Sequence, residues 1–128
     1  MQVVRGQQYR LVHNLNFKIP YPIATNVLIS PTYLDILNHT SQNVSTNWFK
    51  TLDQYYYRSE FELFYLDKDP LETKNLIDDP AYSEAAIELK DRLLQWQNAT
   101  NDPRLCMPKG ELEVPNGFAH CSSLHNRV

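Results

Sequence analysis

The chain has 128 residues, 42% hydrophobic and 21% charged, with 12 Lys and Arg against 15 Asp and Glu for a net charge of −3. That length suits one domain with a modest core, and the acidic balance leaves no basic footprint, so neither nucleic acid nor an anionic membrane surface is an expected partner. No apolar run approaches the ~20 residues that span a bilayer, and the N-terminus shows no basic segment followed by an apolar core and a cleavage site.

Gln2-Val3-Val4-Arg5 and Tyr9-Arg10-Leu11-Val12-His13-Asn14-Leu15 read as two strands of a hairpin turning at Gly6-Gln7-Gln8, where Gly6 supplies the permissive backbone. A period of two puts Tyr9, Leu11 and His13 on the inward face, with His13 near its wet end, and Arg10, Val12 and Asn14 on the other. A domain that opens in mid-strand is expected to be the back part of something longer.

Pro20-Tyr21-Pro22 holds the next segment extended. Ser30 is then an N-cap with Pro31 at the first helical position, and Tyr33, Leu34 and Leu37 at helical spacing predict a short helix over Ser30–Asn38. The segment His39–Asn47 is polar and reads as a surface loop. Trp48, Phe49 and Leu52 predict a short amphipathic turn or helix, and the aromatic run Tyr55–Leu66 a long strand.

Within that run, Leu63, Tyr65 and Phe61 point one way and Phe64 and Leu66 the other, which predicts a central strand covered on both faces. Asp69-Pro70-Leu71-Glu72 reads as a capping box that starts one helical turn, with the Asp69 carboxylate on the Glu72 N–H and Glu72 reaching back. Asn75 closes that turn in the left-handed conformation and Leu76 anchors it on the core. Asp79-Pro80 repeats the device and opens a long helix whose apolar stripe is Ala86, Leu89, Leu93 and Trp96, widened by Ile87 and Leu94. This helix ends by Pro103, and the tail with Pro108, Gly110, Pro115 and Gly117 carries little periodicity.

Sites of chemistry are scarce. There is no phosphate-binding glycine loop, no H-E-x-x-H and no G-x-S-x-G. His13, His39, His120 and His125 show no pairing at helical metal spacing and read as structural or surface histidines. Asp67-Lys68-Asp69 with Glu72 lacks the glycine and the bidentate acid of a calcium loop, so these acids read as turn and cap residues. Trp48 and the tyrosine run are either a sugar-stacking platform or aromatic core, core being the commoner use.

Asn38-His39-Thr40, Asn43-Val44-Ser45 and Asn98-Ala99-Thr100 are glycosylation sequons. Cys106 and Cys121 flank a short loop and are either a bridge or two free thiols. Sequons and cysteines together favour a secretory or lysosomal setting. A bridge there would remove unfolded-state freedom worth about 3 kcal/mol.

Glu62-Leu63-Phe64-Tyr65-Leu66 followed by Asp69-Pro70-Leu71-Glu72-Thr73-Lys74-Asn75-Leu76 resembles a C-terminal signature of the sulfatases, a strand of the type E-L-Y-D-L and then D-P-x-E-x-x-N-L. A preceding strand like Tyr9-Arg10-Leu11-Val12 is also similar to that family, and the resemblance continues through Ser30-Pro31-Thr32, Tyr55-Tyr56-Tyr57-Arg58, Asp102-Pro103 and Leu124-His125-Asn126. It implies an α+β fold over residues 1–128: a small antiparallel sheet of about four strands with the long helix on one face, short helices and an irregular tail, forming the C-terminal subdomain of an α/β sulfatase. The nearest branch is the lysosomal one that hydrolyses the N-sulfate of glucosamine in heparan sulfate. The resemblance implies glycosylation at Asn38, leaving Asn43 and Asn98 open, and a disulfide between Cys106 and Cys121. It implies no catalytic or metal-binding residue in this chain, with formylglycine and calcium in an N-terminal catalytic domain. Cys106-Met107-Pro108-Lys109-Gly110 departs from the formylglycine motif C-x-P-S-R at its last two positions. The expected partners are that domain, a second copy of the enzyme and a heparan-derived substrate, and the chain alone is expected to be inactive. A different class of protein, a self-contained secreted module binding carbohydrate or protein, is the alternative.

Overall fold

The computed structural model describes residues 1–115 and 120–123. They form two compact units: Asn16–Glu60, and Met1–Leu15 together with the described part of Phe61–Val128. His125 and the Leu124-His125-Asn126 motif lie outside the described residues.

The larger unit is α+β and is built on an antiparallel sheet of three strands, β1 (Gln2–Arg5), β2 (Tyr9–His13) and β3 (Phe61–Tyr65), in that spatial order. The hairpin expected from the opening residues forms, with the Gly6 N–H donating to the Tyr9 carbonyl at 2.8 Å. Register sets Val4 opposite Leu11 and Leu11 opposite Leu63, one apolar row across the sheet. Leu11 and Leu63 are completely buried and pack with Leu76, Ala86 and Leu89. Tyr9 stacks on Tyr65 with ring centroids 4.9 Å apart, and Tyr82 meets both edge-on or tilted. On the opposite face Val12 and Phe64 are also buried, so β3 carries apolar groups inward on both faces as expected.

It is not central, however. β2 occupies the middle and β3 an edge, and β3 is shorter than the predicted strand because Tyr55 and Tyr56 belong to a helix.

The long helix α4 (Ser83–Thr100) follows a 3₁₀ turn, Pro80–Tyr82, started as expected by the Asp79 carboxylate accepting from the Ala81 N–H. It stops at Asn101, which takes the left-handed conformation (φ 49°) two residues before Pro103. Its buried positions are Ala86, Leu89, Leu93 and Gln97. Trp96, expected in the stripe, is 53% exposed, and Ile87 and Leu94 are exposed too. At 3.6 residues per turn Gln97 lies nearer the stripe's axis than Trp96 does.

Gln97 is tolerated there because it is paired. Its Nε2 donates to Gln2 Oε1 at 2.8 Å, Gln2 Nε2 donates to Asp102 Oδ2 at 3.0 Å, and Asp102 Oδ1 accepts the Arg104 N–H at 2.8 Å. All three side chains are buried, and a satisfied buried network of this kind fixes one arrangement of β1, the end of α4 and the chain beyond it.

The tail, read as irregular, holds a second hairpin of β4 (Gly110–Glu113) and β5 (His120–Ser123). A Cys106–Cys121 disulfide with Cα atoms 5.5 Å apart ties it down. A β-carbon on Gly110 would strike the Ser122 carbonyl, so glycine is required at this close approach. The only alternation that announces it is the short Glu111-Leu112-Glu113-Val114 run, because the partner strand His120-Cys121-Ser122-Ser123 offers no matching apolar row; strand pairing and the covalent bridge hold the hairpin.

The smaller unit contains α1 (Thr25–Leu28), α2 (Pro31–Ser41) and α3 (Leu52–Tyr56). Ser30 caps α2 as expected, accepting from the Tyr33 N–H, while α3 begins with a complete capping box between Thr51 and Gln54. The Tyr33 and Tyr56 hydroxyls share a hydrogen bond, and this contact together with burial pushes the Tyr33 phenol up to about 12. Trp48 lies 5.4 Å from Tyr55, and Arg58 sits over Tyr21 at 3.9 Å. These rings are largely spent on one another.

Leu63→Ala should remove the centre of the apolar row and cost roughly 2–5 kcal/mol, read as a lower urea midpoint with an unchanged slope.

Candidate functional site

The residues between β3 and α4 form the most specific polar constellation of the chain. An edge strand presents unpaired N–H and C=O groups and must be covered. Here the Asn75 side chain covers them: Oδ1 accepts the Leu63 N–H at 2.9 Å, and Nδ2 donates to the Phe61 carbonyl at 3.4 Å. The same Oδ1 accepts the Ile77 N–H at 3.1 Å, an Asx turn that holds the amide in place. The Leu76 N–H then donates to the Leu63 carbonyl at 2.8 Å while its side chain enters the core. Asn75-Leu76 thus stands in for a fourth strand.

This corrects the expected cap. Asp69-Pro70-Leu71-Glu72 starts no helix, and Glu72 rather than Asn75 takes the left-handed backbone, at φ 55°. The Glu72 N–H donates to the Asp69 backbone carbonyl, and the Asp69 carboxylate reaches further on, accepting the Lys74 N–H at 2.8 Å and the Thr73 hydroxyl at 3.0 Å. Those bonds, the Lys74 N–H first, hold the Asp69 carboxyl below its ordinary value.

Glu72 is drawn away from any cap by Arg10. The Arg10 guanidinium donates to both Glu72 oxygens at 2.5 and 2.6 Å, with the two side chains only 31% and 25% exposed. On the same sheet face Asn14 Nδ2 donates to Glu62 Oε2 at 2.9 Å. Leu71, at the loop's tip, is 82% exposed.

The oxygens of Asp69 and Glu72 are therefore committed to protein donors and do not fit a cation, and no group of three His, Cys, Asp or Glu among the described residues is arranged to hold one. Cys106 is in the disulfide and does not fit a formylglycine precursor. The described histidines are scattered: His13 is buried and stacked on Phe61 at 4.4 Å, His39 pairs with Asp35, and His120 lies 3.8 Å from Glu113. The three sequon asparagines are exposed. Asn38 lies in α2 and Asn98 in α4, where the Asn98 Nδ2 donates to the Leu94 carbonyl at 2.9 Å, whereas Asn43 follows α2 in a left-handed turn.

Two of these features escaped sequence reading. Asn75 bonds a strand twelve residues earlier, and no local signal reports that. Gln97 was legible in principle, since it falls at i+4 from Leu93 on the buried stripe.

A three-stranded sheet with one helical cover and a structural loop of the D-P-x-E-x-x-N-L type fit the C-terminal subdomain of the sulfatase class that this run resembles. The family described as N-sulphoglucosamine sulphohydrolase, C-terminal, matches residues 26–99, and the chain belongs to it. It is 44% identical over 128 residues to the Homo sapiens N-sulphoglucosamine sulphohydrolase, covering 100% of this chain and 25% of that protein. It is 28% identical over 118 residues to an ulvan-active sulfatase of Formosa agariphila, covering 88% of this chain and 19% of that protein. The chain thus spans a quarter or less of the relatives it matches.

Asn75→Ala leaves the Leu63 and Ile77 N–H groups without their acceptor and should cost about 1–3 kcal/mol in urea unfolding, whereas Asn75→Asp, which keeps an acceptor oxygen, should lose less. A lowered Asp69 carboxyl contributes stability that is complete above the unfolded-state value near 4 and is lost as pH falls through the folded value. Asp69→Asn should therefore flatten the acid limb of the stability-against-pH curve while leaving its shape above about pH 5 unchanged.

Proposed function

We propose that this chain works as the C-terminal subdomain of a sulfatase that hydrolyses the N-sulfate of glucosamine during heparan sulfate breakdown in the lysosome, forming a wall of the cleft and stabilising the enzyme without supplying its reactive groups. The observation that carries this reading is the 44% identity to the human N-sulphoglucosamine sulphohydrolase across the whole chain. The commitments of Asp69, Glu72 and Cys106 support the placement of formylglycine and calcium in an N-terminal domain. That domain and a second copy of the enzyme are the proposed partners. Asn38 carries a glycan in this reading, with Asn43 and Asn98 as further acceptors.

A chimera tests it: the corresponding C-terminal quarter of the human relative is replaced by this chain, and release of sulfate from an N-sulfated glucosaminide is assayed. The chimera should turn over substrate and the 128-residue chain alone should not. Turnover by the isolated chain, or a chimera that is secreted and folded yet inactive, would contradict the proposal.

A further inference from the structure

On the opposite edge of the sheet from Asn75, a groove of about 430 Å³ runs between β1 and α4. Its rim carries Arg5, Arg92 and Arg104, with Trp96 beside them and the buried Gln2 and Asp102 at its base. The arginines are exposed, and among the described residues no carboxylate forms an ion pair with Arg5 or Arg104. Arg92 has only a loose neighbour in Glu88, at 3.8 Å with both side chains more than half exposed. The single acid lining this groove, Asp102, is already engaged by Gln2 Nε2 and by the backbone N–H of Arg104, so the same contact that satisfies it also fixes where Arg104 stands.

Three guanidiniums against one engaged carboxylate make this groove locally basic in a chain whose net charge is −3. Local fields of this kind select ligands irrespective of net charge. A second groove, of about 660 Å³, shares Arg5 and Arg92 and continues past Gln7, Gln8 and Glu88. The basic rim therefore borders a track rather than a single pocket.

Guanidiniums bind tetrahedral oxyanions through paired N–H donors. A half-exposed indole offers a flat apolar surface with a polar edge, and a pyranose ring presents a matching apolar face. We propose that this groove is a binding site for a sulfated oligosaccharide, with Arg5, Arg92 and Arg104 taking sulfate groups and Trp96 stacking on a sugar ring. The existence of the site rests on the groove itself; the choice of sulfate among oxyanions rests on the proposed function.

The test titrates the 128-residue chain with a size-defined sulfated oligosaccharide, its desulfated counterpart and inorganic sulfate, following binding by calorimetry and the two tryptophan indole N–H signals by NMR, with the Trp96 signal assigned from Trp96→Phe. Saturable binding of the sulfated sugar should shift the Trp96 signal and leave Trp48 in place, and the Arg5→Gln, Arg104→Gln double variant should bind at least tenfold more weakly with an unchanged thermal transition. Equal binding of the desulfated sugar, an equal response to inorganic sulfate at matched sulfate concentration, or undiminished affinity in the double variant would overturn the proposal. No hydrolysis is measured, so a failure here leaves the chimera assay as the separate judge of the sulfatase reading.

Discussion

The Asn75 amide holds the position on which the rest of the larger unit depends. A three-stranded sheet has two edges, and β3 lies at one of them with its most buried residue, Leu63, in the middle. A peptide N–H beside a fully buried leucine costs about 1–3 kcal/mol when left without a partner. The Asn75 carboxamide offers an acceptor and a donor at nearly peptide spacing, so one side chain satisfies both Leu63 and Phe61 where a strand would have done so. Its position also delivers Leu76 to the core, next to Leu63, Ala86 and Leu89. Polar satisfaction and apolar burial are thus achieved by the same two residues.

The remainder of the loop keeps Asn75 in register. Asp69 gathers the Lys74 N–H and the Thr73 hydroxyl just ahead of it, and Glu72, in its left-handed backbone, turns its carboxylate to Arg10 on the central strand. At the far edge the Gln2, Gln97 and Asp102 network plays the corresponding part, joining β1 to the end of α4. The acids that most invite a metal or catalytic reading are consumed by this scaffolding. That is consistent with a family whose matched relatives are four or more times longer than this chain.

Elements with local causes were legible in the sequence: the hairpin at Gly6, the Ser30 and Asp79 caps, the Ala86, Leu89 and Leu93 stripe, and the two-faced character of Phe61–Tyr65. The family was legible through the spacing of Asp69, Pro70, Glu72, Asn75 and Leu76, although the physical meaning assigned to it was wrong in detail. A D-P-x-E run has the local grammar of a capping box, but the outcome was decided by Arg10, sixty-two residues before Glu72, and by the open edge of β3. Gln97 displaced Trp96 from the stripe for the same kind of reason, a partner on a distant strand. Local propensity yields where a buried polar group finds a non-local partner, and single-sequence periodicity does not contain that partner.

The central claim, that the Asn75 carboxamide closes the sheet edge in place of a strand, is tested most directly by native-state hydrogen exchange at the Leu63 amide. Closure predicts that this N–H exchanges only through global unfolding, as slowly as the amides of β2, and that in Asn75→Ala it exchanges through a far smaller opening while the β2 amides keep their relation to global stability. A Leu63 amide that already exchanges rapidly in the unaltered chain, or one whose protection survives the loss of the Asn75 amide, would contradict the account.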